Sequence, residues 1–400
     1  MNGIRVVELA AWTFVPAAGA VMAEWGAEVL KIEHPDGGDP QRGLVSSGLV
    51  PGGDAGINFY VEQPNHGKRS VAINVQHPHG RDALLKLCAT ADVFLTNWLP
   101  GPLSRARLEV EHVRAANPNI VYVRGHGQGV RGPDADKGGY DSSSFWARSG
   151  VMNALAYGDD PYGPTQPPAF GDLPGGQTIA GAIAAALFER ERTGHAPVVD
   201  VSLLAFGMWV NSPDIVQSKL LGRPVPKMTR TNLANPVVNR YLTKDGRLIQ
   251  LVMLQGVRFW PELLEALGRP DLAHDERFAT AEAMYEHRVE GRELLDEIFA
   301  TRTFDEWKGV LDQVKGVWAP VQQGLDLYDD PQVVANGYLG DAVAPSGAPF
   351  QLPTNPVQFD EQPNTIARAP MLGEHTDDVL RDAGYDDEAI IQLKIDGAIL

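Results

Sequence analysis

The stretch IRVVELAAWTFVPAAGAVMAEWGAEVLKIE, residues 4–33, decides how the chain is read. Its first seven residues, IRVVELA, read as a buried strand. PAAGAVMAEWG, 16–26, reads as a short helix opened by Pro16 and closed by Gly26. EVLKIE, 28–33, is the next strand. The same rhythm returns with a strand at 70–75, a helix at 79–90, a strand at 92–98, helices across 102–116 and a strand at 120–125. Strands separated by helices imply right-handed crossovers and a parallel sheet. The expected fold class is therefore α/β, with a doubly wound parallel-sheet domain at its start.

Between the second strand and residue 70 lie a loop rich in Gly, Pro and Asp, HPDGGDPQRG (34–43), and a long irregular stretch. Further on, a helix over 177–193 precedes VVDVSLLAFGMWV (198–210), a strand running into a helix. The character then changes. RYLTKDGRLIQLVML (240–254) reads as a hairpin turned at Lys244-Asp245-Gly246. Helical patterns follow near 258–267, 280–300 and 304–314. The tail carries short strands near 348–360 and a helix near 376–384. This gives a large domain over 1–200 and 330–400, a smaller α+β domain over 225–325, and connections at 201–224 and 326–329. No internal repeat or low-complexity tract stands out.

The composition excludes several classes. A formal net charge of −17 repels nucleic acid and anionic membrane surfaces, though it leaves room for one anionic ligand in a local basic pocket. The first residues do not read as a signal peptide, and no run approaches the apolar length of a membrane span. Cys88 is the single cysteine and falls on the buried side of a helical pattern, so it reads as inert packing. A reducing, cytoplasmic setting is expected.

Most motif templates fail. GHGQG (125–129) follows a strand but lacks the dinucleotide spacing, and HGKRS (66–70) lacks the upstream glycine of a phosphate loop. There is no G-x-S-x-G. His77 and His79 flank Pro78 without an acidic or Cys partner, so no metal site is expected. Basic residues cluster at Arg42, at Lys68 with Arg69, and at Arg105 with Arg107. Two readings fit them: ordinary solvated surface, or the anchor of a phosphorylated ligand beyond the carboxyl ends of the strands. Phe145, Trp146 and Tyr157 fit an apolar acyl pocket and core packing equally. Asp172 stands between Gly171 and Leu-Pro-Gly-Gly, just before the long apolar helix, which reads as buried nearly all round. It fits a plain N-cap or turn aspartate. It also fits a functional carboxylate stabilised by the helix dipole, with flanking glycines that admit close approach.

These segments together carry a resemblance. VVELA, PAAGAVMAEWGAEVLKIEHPDGGDPQR, NHGKRSVAINV, DVFLTNWLPGPLSR, GHGQGVRG with GGYDSSSFWARSG, GDLPGGQTIAGAIAAALFERERTG, VDVSLL, and WAPVQ with LYDDPQVVANGYL occur in this order from end to end. The chain resembles the class III CoA-transferase family, which includes formyl-CoA:oxalate and carnitine CoA-transferases and α-methylacyl-CoA racemase. The resemblance implies an acyl-CoA:carboxylate CoA-transferase that uses CoA and acyl-CoA as substrate, with no tightly bound cofactor. Asp172 matches the nucleophile, ionised at neutral pH, and Gly175 and Gly176 would offer N–H groups to the oxyanion. Tyr140 and Asp141 match a pair beside the thioester. Trp12, Thr13, His34, Arg42, Ile73, Asn97, Trp98, Arg105 and Ala106 match CoA-contacting positions. Partners would be an acyl-CoA, a carboxylic acid acceptor and a second copy of the chain, in an interlocked homodimer.

Racemase relatives carry a histidine where this chain has Tyr140, which makes this chain look transferase-like; a racemase or isomerase is the alternative, with His126, 14 residues earlier, as its candidate base. A non-catalytic acyl-CoA-binding protein is the other. The stretch LQGVRFW (254–260) has one glycine where formyl-CoA transferases carry a glycine-rich mobile loop, which argues against oxalate chemistry.

Overall fold

A computed structural model describes residues 1–51, 56–158, 160 and 162–400. The chain divides into two compact units. The first comprises residues 1–155, 164–223 and 332–400, and the second 156–163 and 224–331.

The first unit is built on six parallel strands: β1 (Arg5–Leu9), β2 (Glu28–Glu33), β3 (Arg69–Ala72), β4 (Val93–Thr96), β5 (Val121–His126) and β6 (Val198–Ser202). Their spatial order is β3-β2-β1-β4-β5-β6. Chain direction across the sheet therefore reverses between β1 and β4, the topological switch point where ligands bind in folds of this type. Strand alternation explains why the apolar runs are continuous: Val6, Val29 and Val93 face one side, and Val7, Leu30 and Phe94 the other.

On the first side, helix α1 (Phe14–Glu24) packs against the long helix α2 (Asp172–Thr193). On the other side lie Leu84 and Leu87 together with Leu380, Ile390 and Leu393 from the end of the chain. Both ends of the sequence thus build one unit. The segment 201–224, expected as a connection, instead completes β6 and forms helix α3 (Leu203–Val210) and a further helix, Ser212–Leu221.

One boundary and one burial pattern differ in ways that matter. Helix α2 begins at Asp172 rather than 177, so Leu-Pro-Gly-Gly is its first turn and not a loop before it. Pro174 is tolerated there because first-turn N–H groups have no helical partner to lose. In addition, α2 is not buried all round in the single chain, since Phe188 is 68% exposed.

The second unit contains an antiparallel sheet of β7 (Arg240–Leu242), β8 (Leu248–Leu251) and β9 (Trp318–Val321). The expected hairpin is β7–β8. The third strand arrives from some seventy residues downstream, where the sequence showed no alternation. Trp260, Phe278, Phe299 and Trp307 fill its core. In the tail, β10 (Leu339–Val343) and β11 (Pro349–Pro353) form a separate hairpin in the first unit. No helix among the described residues is long and apolar enough to cross a membrane.

Candidate active site

The loops after β1 and β4, on either side of the switch point, open into a cavity of about 480 Å³. Ala11, Trp12 and Phe14 line it from β1, and Asn97, Trp98 and Arg105 from β4. The end of β5 contributes Gly125, His126 and Gly127. Gly138 to Asp141 close another side, and Asp172 and Leu203 complete the wall. Seven residues implicated by separate motifs, Trp12, Asn97, Trp98, Arg105, Tyr140, Asp141 and Asp172, therefore meet at one place.

Asp172 occupies the first position of α2 and is partly buried. Its carboxyl is pushed up to about 7, first by burial and then by the neighbouring Asp141 carboxylate. This differs from the expectation of an ordinary ionised aspartate, because burial and the like charge of Asp141 both favour the protonated form. Asp141 is fixed, because both of its oxygens accept the Gly171 N–H, at 3.2 and 3.0 Å. That bond anchors the residue preceding Asp172 and brings the two carboxylates together. Tyr140 is 61% exposed and meets the Trp12 indole edge-on, with ring centres 5.7 Å apart.

Gly175 and Gly176 are placed differently from the oxyanion expectation. They lie inside α2, and the Gly175 N–H is donated to the Gly171 carbonyl at 2.9 Å. A Cβ on Gly176 would stand 2.5 Å from the Ala17 Cβ and 3.0 Å from the Phe14 carbonyl. The two glycines let α2 press against α1, which is a packing role.

The basic clusters separate in the same way. Lys68 is buried and bonds both Glu8 oxygens at 2.8 Å, and Arg69 pairs with Glu28. Arg42 grips Glu33 with two bonds of 2.7 Å. These are internal ion pairs. Arg105 remains exposed on the cavity wall, and Arg107 is an exposed left-handed residue ending its helix. Thr13 and Ala106 are buried behind the wall rather than lining it. His34 and Ile73 line an adjoining cavity of about 180 Å³ that shares Trp98 with the first. Phe145 and Trp146 pack in the core against Phe170, while Tyr157 belongs to the second unit. Cys88 is fully buried, and that burial pushes its thiol far up.

His126 lines the cavity and is 7% exposed. Its Nε2 lies 3.5 Å from Asp200. Burial would raise Asp200, but the nearby His126 and two hydrogen bonds from Arg124 hold it down at about 2. A second cavity of about 490 Å³ lies on the other side of His126, between Arg131, Phe206 and Trp209.

Sequence reasoning missed the glycines of the GHGQG and GGYD segments. A Cβ on Gly127 would come within 2.5 Å of Gly139, so two site loops touch through bare backbone. The signal was present as clustered glycines after a strand, but it was tested only against phosphate-loop spacing.

The profile of CoA-transferase family III matches residues 1–376. Cinnamoyl-CoA:phenyllactate CoA-transferase from Clostridium sporogenes is 33% identical over the whole chain and 97% of its own length. (R)-2-hydroxy-4-methylpentanoate CoA-transferase from Clostridioides difficile is 31% identical over 98% of each. Among solved structures, a CaiB/BaiF family protein from Brucella suis superposes with a TM-score of 0.82. It is 28% identical, with 96% of this chain and 98% of that one covered. With a cavity at the switch point and this likeness from end to end, the chain belongs to CoA-transferase family III and is a CoA-transferase of that class.

Proposed function

We propose that this enzyme moves CoA from an acyl-CoA to a free carboxylic acid through covalent intermediates on Asp172. The Asp172 carboxylate attacks the thioester carbonyl, the C–S bond breaks, and CoA leaves as a thiolate, giving an aspartyl–acyl anhydride. The thiolate then attacks the aspartyl carbonyl. The donor acid departs with its carboxylate, and an aspartyl-CoA thioester remains. The acceptor carboxylate attacks that thioester, and the thiolate released attacks the acceptor acyl carbon of the new anhydride. The product acyl-CoA leaves and Asp172 is restored. Two easier exchanges replace one difficult one.

The observation that carries this reading is the position of Asp172. It is a partly buried carboxylate, poised near neutrality, on the wall of the switch-point cavity. Trp12, Asn97, Trp98 and Arg105 are the proposed CoA contacts in that cavity, with His34 and Ile73 in the adjoining one. Thr13, Arg42 and Ala106 act behind this surface. The two relatives named above act on phenyllactate and 2-hydroxy-4-methylpentanoate, acids with bulky apolar groups, and Phe14 and Leu203 offer an apolar wall here. The proposed acceptors are hydrophobic carboxylic acids. Incubation with acyl-CoA followed by borohydride or hydroxylamine, with mass spectrometry of the peptide, tests the mechanism. Modification at Asp172 is expected, and an unmodified Asp172 during turnover would rule the route out.

One observation favours a second reading, an acyl-CoA racemase: His126 shares the cavity with Asp172. A racemase must remove and return a proton α to the carbonyl, which requires groups on both sides of that carbon. Rapid uptake of deuterium from heavy water at the α-carbon, lost in His126→Ala, would select it.

We further propose the interlocked dimer. Phe188, Trp209 and Leu220 are 68, 78 and 81% exposed in the single chain, apolar surface of the kind that marks an interface. Recovery of folded monomer on dilution would exclude it.

A further inference from the structure

Trp12 has φ = +66°, in the left-handed region that a bulky residue occupies only when its surroundings force it there. The surroundings of Trp12 do so. Every backbone polar group from the Ala10 carbonyl to the Trp12 carbonyl is bonded by a side chain from elsewhere. The Lys31 ammonium donates to the Ala10 carbonyl at 3.2 Å. The Asn97 amide, reaching across from β4, accepts from the Ala11 N–H at 3.2 Å and donates to the Ala11 carbonyl at 2.6 Å. Asp39 accepts from the Trp12 N–H at 3.2 Å. The Gln41 amide satisfies both ends when its nitrogen faces the Trp12 carbonyl and its oxygen accepts from the Thr13 hydroxyl, each at 2.9 Å.

Within this clamp Asp39 has the central place. One of its oxygens serves the Trp12 and Gln41 N–H groups, and the other pairs with Lys31 at 2.9 Å with both side chains out of water. A buried pair of this kind has one arrangement rather than many, so it fixes where the acceptor oxygen stands. The loop it holds carries the indole that meets Tyr140 on the cavity wall.

We propose that Asp39, set by Lys31, is a positioning residue: it keeps Trp12 left-handed and so holds the indole in the wall against which acyl-CoA binds. This rests on the reading of that cavity as the acyl-CoA site. An asparagine at 39 cannot do the same work. Its single oxygen faces either Lys31 or the Trp12 N–H, and its NH₂ opposes the other donor. Lys31 would still have Glu8 at 3.6 Å and the Ala10 carbonyl, so the variant keeps a partner for the buried cation.

The test compares Asp39→Asn in three backgrounds: wild type, Trp12→Ala and Trp12→Gly. CoA affinity is measured by titration calorimetry, and kcat/KM wherever turnover is measurable. Both Trp12 variants lack the indole, but only glycine takes the left-handed conformation without strain. In the wild-type background Asp39→Asn is expected to weaken CoA binding and lower kcat/KM about tenfold. In Trp12→Ala and in Trp12→Gly, where there is no indole left to hold, it should cost less than about threefold. A merely structural role for Asp39 predicts the same loss of about tenfold in all three backgrounds, and that result overturns the proposal, as does no loss in the wild type. Should Asp39→Asn fail to fold, Gln41→Leu, outside the cavity lining, frees the Trp12 carbonyl end of the same loop without stranding a charge and is read against the same two backgrounds. If the unmutated protein binds no CoA and transfers no acyl group, the reading of the cavity has failed, and the clamp is then not at issue.

Discussion

Glu33 and Asp172 are two carboxylates drawn out of water in the same unit, and their proton affinities move in opposite directions. Burial alone would raise both. At Glu33 it is outweighed by two hydrogen bonds from Arg42, the charges of Lys31 and Arg42, and the Ser70 hydroxyl at 2.6 Å, and the group falls to about 2. At Asp172 the neighbouring charge is the like charge of Asp141, and the group rises to about 7. The same desolvation therefore makes a permanent anion where cations surround it and a titrating one where a second acid does. The first kind holds structure. The second is suited to the covalent role proposed for Asp172.

The comparison breaks most visibly at Asp172. Asp172→Ala should lower acyl transfer by at least about 10⁴-fold, as removal of a covalent nucleophile does, while CoA affinity changes less than about threefold. Residual transfer near wild type in a steady-state assay would remove Asp172 from the chemistry. Asp172→Asn should match it, since a neutral amide is a poor nucleophile.

The next effect is at the compensated carboxylate. Glu33→Ala strands Arg42 and removes the acceptor of the Asp39 N–H. Breaking a buried pair from one side costs about 3 kcal/mol or more, read as a fall in the urea midpoint. A loss below about 1 kcal/mol would mean that the pair is not holding this corner of the sheet.

The two groups also carry opposite pH signatures. Glu33 has a depressed pKa, so its contribution is present above its unfolded value of 4.5 and is lost as pH falls toward 2. Asp172 binds its proton more tightly folded than unfolded, so stability falls as pH rises from 3.8 through about 7. Asp172→Asn should therefore be more stable than wild type by about 2 kcal/mol at pH 8, with the advantage gone below pH 4. Equal advantage at both pH values in chemical unfolding would place its origin outside the titration.

The smallest expected effect sharpens the cause. Transfer should rise with pH through about 7 as Asp172 loses its proton. In Asp141→Asn the midpoint of the pH–kcat/KM profile should move to lower pH. It should stop short of the ordinary carboxylate range, because burial, the larger cause, remains. An unmoved midpoint would make burial the whole explanation.

Much of the fold was legible because its elements are local. Apolar runs between Pro and Gly punctuation marked β1, α1 and β2 to within a few residues, and the hairpin turn at Lys244-Asp245-Gly246 stood where expected. The motifs that meet in the cavity were legible as well, since each is a short local segment at a strand end or a helix start. Strand β9 was not, because Trp-Ala-Pro-Val carries little pattern of its own and is held by pairing with β8. The ion pairs of Lys68 and Arg42 were not legible, for the same kind of reason. A cation in a sequence carries no mark of whether its partner is solvent, a phosphate or a buried glutamate sixty residues away.

The sequence by itself determined the alternating β and α elements, the two-unit composition and the residue types of the site, because periodicity, capping and chemistry reside in neighbouring residues. Only the tertiary structure decided the order β3-β2-β1-β4-β5-β6, the meeting of the β1 and β4 loops through Asn97, the packing role of Gly176 and the raised proton affinity of Asp172. Each of these depends on groups far apart in the chain, and on how much water is left between them once it folds.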